Sequence, residues 1–342
     1  MSRPFSTKEA RLYTKLESGK VRCDLCERHC LIEDSGRGFC KTRINIGGRL
    51  YTLVYGNISA ISVNPIEKKP FFHYLPGSKA LTFSCCSCNF SCPWCQNWEI
   101  SRSLPEDMTF YYIDIDEMVR AALSKNCQSL SVSFNEPTLL FDYCVDLFPV
   151  ARRNGLRANY VSNGYMSSEA LAMLHEAGMD AIKFDVKGDS QVYKDFCGGA
   201  NVEIVWRNAK IAKALGLHVE IVNLLIPGVN DDESCIEWVV EEHLKVGPEI
   251  PLHFTRYYPS FKFHTPPTPV KSLEKAREAA RSAGVLYPYI GNAPGHKFEN
   301  TWCPACGELL IKRYGFYIVK LNLLRKDECR CPKCGNKIPI VL

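Results

Sequence analysis

The sequence predicts an α/β protein whose core is a partial, TIM-like (β/α)6 barrel, on three observations. Between residues 79 and 292, short β-branched or apolar runs alternate with amphipathic helical patterns, the signature of parallel strands joined by helical crossovers. Each of the first six runs ends in a polar motif. Cysteine-rich segments flank the alternation on both sides: of the 18 cysteines, four, three and four fall into three spaced groups along the chain. The 342 residues therefore divide into a cysteine-rich extension (1–78), a barrel (79–292) and a C-terminal ribbon (293–342).

Taken in order, the expected strands are 80–84, 129–134, 157–162, 181–187, 218–226 and 251–257, with a seventh at 285–290 to cap the sheet. The helices between them are 116–125, 139–153, 168–177, 203–215, 232–245 and 273–283, and Asp116, Ser168 and Asp232 can cap or charge their starts. A Rossmann-like open sheet is the competing architecture. The barrel is preferred because in barrels the residues at the C-terminal ends of strands carry function, and here every strand but the last ends in a polar motif. The first run leads into Cys88–Cys95, the second ends at Asn135-Glu136-Pro137, the third at Ser162-Asn163-Gly164 and the fourth at Asp185-Val186-Lys187. The fifth ends at Pro227-Gly228-Val229-Asn230-Asp231 and the sixth at Arg256-Tyr257-Tyr258-Pro259. Asn-Gly and Pro-Gly are common turn formers one by one; their shared placement points to one functional face.

A hydrophobic content of 46% supports a real core, and the net charge of +5 is mildly basic without requiring a nucleic-acid partner. No apolar run reaches membrane length, and the N-terminal residues lack a signal core, so a cytoplasmic address without a membrane is expected. There the cysteines read as metal ligands and reduced thiols rather than disulfides. Seven fall outside the three groups (Cys85, Cys86, Cys127, Cys144, Cys197, Cys235, Cys329) and are expected to be buried small hydrophobes.

The most informative run is Cys88-Asn89-Phe90-Ser91-Cys92-Pro93-Trp94-Cys95. Three cysteines spaced in this way bind three irons of a four-iron cluster and leave the fourth iron for an exogenous ligand. S-adenosylmethionine suits that iron, because its amino and carboxylate groups chelate it and an electron from the cluster breaks a C–S bond to give a 5′-deoxyadenosyl radical. A zinc knuckle built from Cys85, Cys88, Cys92 and Cys95 is the alternative. The strand just upstream, and Trp94, on which an adenine could pack, favour the cluster.

With these residues the chain resembles the radical SAM superfamily. The longer string CNFSCPWCQNWEIS, with the upstream VNPIEKKP, resembles the radical enzyme of the AmmeMemoRadiSam system, a relative of pyruvate formate-lyase activating enzymes. The resemblance runs over nearly the whole chain and departs from the pattern at Ser87, where a glycine is expected before Cys88. It implies a [4Fe–4S] cluster, S-adenosylmethionine, an electron donor such as flavodoxin or ferredoxin, and Memo-like and AMMECR-like partner proteins. It also implies roles at the strand ends. Glu136, with Asn135, would meet the methionyl ammonium, and Asn163, assisted by Ser162, would bridge the ribose hydroxyls. Lys187, on one strand face with Asp185, would lie near the cofactor carboxylate or an anionic substrate. Tyr257 sits where a relative would place a histidine against the cofactor. His253 and Arg256 are further substrate-side candidates, although strand alternation puts His253 with Tyr257 and Arg256 on the opposite face.

At the C-terminus Cys303-Pro304-Ala305-Cys306-Gly307 and Cys331-Pro332-Lys333-Cys334-Gly335 form matching knuckles, the ligand pattern of a four-thiolate site for zinc or for a single rubredoxin-like iron. Residues 309–324 between them read as a hairpin turning near Gly315, and a ribbon this small should draw stability from its metal. The N-terminal group, Cys23, Cys26, Cys30 and Cys40, fits structural zinc or a second iron–sulfur cluster, with His29 able to replace one thiol.

The leading function is reductive cleavage of S-adenosylmethionine, with the radical abstracting hydrogen from an unidentified small molecule or peptide. A glycyl-radical-enzyme activating enzyme is the first alternative, weakened by the 87 residues before the triad and by the added ribbon. An RNA-modifying or nucleic-acid-binding zinc-ribbon protein is the second, weakened because Lys312, Arg313, Lys320 and Arg325 read as ordinary hairpin charges. A non-catalytic carrier or metal store would leave the barrel and the open iron unexplained.

Overall fold

A computed structural model describes residues 7–325 and 328–342; the Arg325 side chain, and residues 1–6 read above for a signal core, lie outside the described part. The fold is mixed α/β with a mainly parallel central sheet. Its residues gather into two compact units. One takes the chain up to Asn64 together with Lys79–Ile182, and the other takes Pro65–Ser78 together with Lys183–Leu342, so the units cut across the expected boundaries at 78 and 292.

In the first unit β1 (Lys79–Ser84), β2 (Ser129–Val132) and β3 (Arg157–Ser162) run parallel, with β2 in the middle. The alternation of a β-strand sorts their side chains onto two faces. Phe83 and Tyr160 meet Tyr143 and Phe148 of the helix that follows β2. On the other face Thr82, Ser131 and Asn159 stand in one row across the three strands, fully buried. The helices are α1 (Ile115–Ser124), α2 (Phe141–Arg153) and α3 (Ser168–Ala177). Asp114 and Ser167 accept the first-turn amides of α1 and α3, each one or two residues upstream of the residue the sequence suggested. An N-cap must precede the first helical residue, so Asp116 contributes only charge to its first turn.

The N-terminal extension is tied to α2 by charge. Lys8 and Arg11 each reach Asp146 at 2.5 Å, and Arg43 pairs with Asp142 at 2.7 Å with both side chains buried. Removing one partner of such a pair strands a buried charge, at a cost of about 3–5 kcal/mol. This explains why the extension belongs to one compact unit with the first strands.

In the second unit β4 (Ala181–Val186), from Lys183 onward, is followed by β5 (His218–Leu225), β6 (Leu252–Arg256) and β7 (Pro288–Gly291); β6 pairs in parallel with both β5 and β7. The helices are α4 (Ser190–Phe196), which the sequence reading did not anticipate, α5 (Val202–Ala214), α6 (Glu233–Val246) and α7 (Val270–Ala283). Asp232 caps α6 as expected.

A buried polar cluster gathers at the strand starts of this unit. Glu220 accepts from the Phe72 and His73 amides at 3.0 and 2.7 Å and lies 2.7 Å from His253 Nε2 and 2.9 Å from His218 Nε2. Burial alone would raise its carboxyl; the His218 and His253 partners outweigh burial and hold it well below the ordinary carboxylate range. His253 is thus not at the open end. It is the second residue of β6, stacked on Tyr289 near the start of β7, because strand direction leaves only Arg256 at the functional end.

The ribbon hairpin forms as expected, Leu309–Tyr314 against Tyr317–Leu321, turning at Gly315. Its core is not its own. Leu310, Ile311, Cys331, Ile338 and Ile340 share one buried cluster with Phe72, Tyr287 and Tyr289. Arg313 is not a surface charge. It is buried, stacked on Phe72, and donates to the Phe72 carbonyl at 2.7 Å, the Thr301 hydroxyl at 2.8 Å and the Glu299 carbonyl at 3.1 Å. The ribbon therefore draws apolar stabilisation from β7 and residues 65–78 as well as from any metal.

All seven ungrouped cysteines are buried, and no disulfide joins any of the 18. Among the described residues no helix is long and apolar enough to cross a membrane.

Stability should fall in mild acid through His243. Its Nε2 lies 3.0 Å from the Ile250 carbonyl, and burial pushes its imidazole down to about 4. Between pH 6.5 and 4 the unfolded chain binds a proton that the folded chain does not, so stability drops as pH falls through that window, by on the order of 3 kcal/mol. Denaturation curves at pH 7 and 4.5 should show a smaller loss for His243→Gln than for the native chain; an equal loss would contradict this assignment.

Candidate active site at the cysteine triad

The triad sits on the loop that leaves β1. After Ser84 the buried Cys85 and Cys86 lead to Ser87, whose φ of 69° lies in the left-handed region. This is why a glycine is expected there. The strain of a non-glycine residue, about 1–2 kcal/mol, is met by a side-chain bond that glycine could not make: Ser87 Oγ donates to the Cys40 carbonyl at 2.6 Å.

The loop is held from several sides. Asn135 Nδ2 donates to the Cys86 and Ser87 carbonyls at 3.0 and 2.9 Å, and the Ser87 amide donates to Ile100 at 2.9 Å. Arg102 Nη1 donates to the Phe90 carbonyl at 2.8 Å from just beyond the single helical turn Trp98–Ser101. Asn97 Nδ2 donates to the Phe134 carbonyl at 2.7 Å, joining the far side of the loop to the end of β2. The Phe90 amide points at Cys88 Sγ, 3.4 Å away, and the Ser101 hydroxyl lies 3.0 Å from Cys95 Sγ. Trp94 is buried between the second and third cysteines.

Glu136 joins the strand ends. Its Oε1 accepts from the Ser162 hydroxyl at 2.7 Å and the Thr138 hydroxyl at 2.5 Å, and its Oε2 accepts from the Asn163 amide at 2.8 Å. Burial raises its carboxyl against these lowering bonds. Asn163 Nδ2 in turn donates to Asn89 Oδ1 at 2.7 Å and lies 4.0 Å from Cys88 Sγ. Burial, and then the Glu136 charge, push the Cys88 thiol up. A bound cation reverses that preference, since metal coordination holds a thiol deprotonated.

Cys88, Cys92, Cys95, Trp94, Asn135, Glu136, Ser162 and Asn163 thus all belong to the first unit, on β1–β3 ends and their loops. The donor set suits a three-thiolate cluster, and Asn135 Oδ1 is a buried acceptor with no hydrogen-bond partner in the protein, as a bound ammonium would require. The remaining candidates belong to the second unit. Asp185 lies 2.9 Å from Lys183 Nζ and 3.9 Å from Lys187 Nζ; burial would raise its carboxyl, and the two lysines hold it below its ordinary value. Tyr257 is buried and gives its hydroxyl to the Phe263 carbonyl at 2.8 Å, within its own loop.

Lys183 is the residue that sequence reasoning missed, although it stands two before Asp185 on the same strand face and the period of two could have found it. Lys69 is a second, buried in the 65–78 segment with its ammonium pushed down to about 7 by burial and then by Lys68 and Lys183. His29 is not turned inward to replace a thiol. Its ring is exposed and lies 3.4 Å from Asp24 and 3.3 Å from Glu27.

The profile of the Radical SAM superfamily matches residues 84–239, spanning the triad, Glu136 and Asn163. The chain belongs to the radical SAM superfamily. It is an enzyme of that superfamily by this match, and an uncharacterized protein of Methanocaldococcus jannaschii is 42% identical to it over 98% of this chain and all of its own length. GTP 3′,8-cyclase of Haemophilus influenzae is 23% identical, over 67% of this chain and 73% of its own. Among solved structures, a domain of pyruvate-formate lyase-activating enzyme from Bacteroides vulgatus is similar with a TM-score of 0.41 at 20% identity, covering 47% of this chain and 98% of that one.

Away from the triad, the ribbon cysteines converge. Cys303 and Cys334 sulfurs lie 3.6 Å apart, as do those of Cys306 and Cys331, and all four are within 4.8 Å of one another. Gly307 and Gly335, at φ of 70° and 73°, close the matching knuckles by donating to the Cys303 and Cys331 carbonyls at 2.9 Å each. This set can hold a metal ion.

Glu136→Gln should destabilise the fold by about 1–3 kcal/mol, because an amide keeps one acceptor oxygen and turns a donor toward the Ser162 hydroxyl or the Asn163 amide. Urea denaturation checks this, and a change below about 0.5 kcal/mol, the range of an ordinary surface substitution, would mean that the carboxylate does not join the strand ends.

Proposed function

We propose that the triad thiols hold a [4Fe–4S] cluster, that S-adenosylmethionine chelates the fourth iron, and that the enzyme uses the resulting radical to take hydrogen from a small molecule or peptide. The observation that carries this reading is the pairing of three thiols on one supported loop with the unpartnered Asn135 Oδ1 at the next strand end. Loaded with both groups, the site would supply reductive cleavage of the sulfonium and hence hydrogen-abstraction chemistry.

The chain's own residues have separable tasks in this reading. Asn135 accepts the methionyl ammonium through Oδ1 while its Nδ2 keeps the triad loop in place. Glu136 positions Ser162 and Asn163 through its two oxygens, so those residues address the ribose from fixed strand ends. Lys183 and Lys187 leave Asp185 ionised, and Lys187 serves an anionic group of cofactor or substrate. The electron would come from a flavodoxin- or ferredoxin-type donor.

The strings CNFSCPWCQNWEIS and VNPIEKKP support a place in the AmmeMemoRadiSam system, with Memo-like and AMMECR-like proteins as partners. For the ribbon we propose zinc, which its sulfur spacing fits: a tetrahedral site with Zn–S near 2.3 Å has sulfurs about 3.8 Å apart. The nucleic-acid alternative loses support from the burial of Arg313.

The test is anaerobic reconstitution with iron and sulfide, reduction, addition of S-adenosylmethionine and assay for 5′-deoxyadenosine. The native chain should form it, and Cys88→Ala, Cys92→Ala and Cys95→Ala should each lower the rate at least about a hundredfold, consistent with loss of an essential ligand. No product from a reduced, cluster-loaded native chain would overturn the proposal.

A further inference from the structure

The four N-terminal cysteines line one pocket, together with Arg28, Arg43 and Asn89. They do not converge as the ribbon cysteines do. Among the described residues the ribbon set is the one metal-capable group whose ligand atoms come within 4.8 Å of one another; no three of Cys23, Cys26, Cys30 and Cys40 do so. A single zinc or iron ion at about 2.3 Å from each sulfur needs edges of about 3.8 Å. The ribbon, at 3.6 Å, provides an internal standard for that geometry, and the N-terminal group departs from it. The three triad sulfurs, which belong to a cluster rather than to one ion in the reading above, likewise do not all come within 4.8 Å of one another.

Two further observations concern what lies in the pocket. Arg43 is buried and lines it; Nη2 lies 2.7 Å from Asp142, while Nε and Nη1 have no hydrogen-bond partner in the protein. A buried guanidinium with two unsatisfied nitrogens calls for an acceptor, and an anionic centre with surface sulfurs supplies one. The Phe39 amide, on the pocket wall, also points at Cys30 Sγ at 3.4 Å, the kind of bond that sets the properties of a cluster thiolate.

We propose that Cys23, Cys26, Cys30 and Cys40 hold a second, polynuclear iron–sulfur cluster rather than a single metal ion. It lies beside the triad. Ser87, one residue before Cys88, donates to the Cys40 carbonyl, and Asn89, one residue after, lines the pocket and accepts from Arg28 Nε at 2.5 Å through its carbonyl. The proposal stands on the spacing of these four thiols and does not require that the chain cleave S-adenosylmethionine.

The test measures iron, acid-labile sulfide and zinc in the full chain after anaerobic reconstitution, alongside a Cys88→Ala/Cys92→Ala/Cys95→Ala variant that has lost the triad. Sulfide decides, because neither a zinc site nor a rubredoxin-like iron contains any. The variant should retain about two to four sulfides with matching iron, and the native chain more than the four of one cubane cluster. A variant with no sulfide and a second zinc would overturn the proposal. If the variant does not fold, the native chain alone decides: sulfide above about four supports a second cluster, and about four sulfides with about two zincs refutes it. Cys23→Ser with Cys40→Ser should remove the additional sulfide and leave that of the triad.

Discussion

The side-chain amide of Asn135 is the contact on which the rest of the site depends. It is buried at the end of β2 and donates at once to the carbonyls of Cys86 and Ser87, the two residues before the first triad cysteine. A three-thiolate site needs its loop fixed before any metal arrives, and its buried apolar side chains, Phe90 and Trp94, cannot satisfy the buried carbonyls of Cys86 and Ser87. Asn135 meets that need from the short turn that follows β2, which the Ser133 amide ties to the Phe83 carbonyl of β1 at 3.1 Å, so the triad loop is anchored beside the parallel sheet. Glu136, the next residue, extends the same support to the end of β3.

Much of this was legible in the sequence because it rests on local chemistry. Apolar runs alternating with helical patterns gave the parallel strands, and the seventh run does pair as a strand, Pro288–Gly291 beside Leu252–Arg256. Asp232 was readable as a cap because capping needs only a short polar side chain ahead of a helix. The glycine that the family pattern puts at position 87 falls where the backbone is left-handed, and the hydrogen bond to Cys40 that offsets the strain of the serine joins residues too far apart in sequence to be foreseen.

What escaped the sequence was set by long-range burial. His253 read as a mouth residue because its strand was known but not its depth in it; the structure puts it among Glu220, His218 and Tyr289, whose partners lie tens of residues away. Arg313 read as a surface charge because a hairpin alternates polar and apolar residues, yet its inward face meets Phe72 and Thr301. In both cases a charged or titratable side chain is held inside by partners distant in sequence, which a linear pattern does not reveal. The same holds for Arg43 and Asp142, a buried pair that fixes the N-terminal extension to α2.

The central claim is that the triad leaves one iron for the amino and carboxylate groups of S-adenosylmethionine. Electron–nuclear double resonance on the reduced, cluster-loaded protein with S-adenosylmethionine carrying 15N in its amino group tests it most directly. The account predicts a 15N hyperfine coupling of a directly ligated nitrogen, lost in Cys92→Ala. A reduced four-iron signal without that coupling, at saturating S-adenosylmethionine, would contradict it.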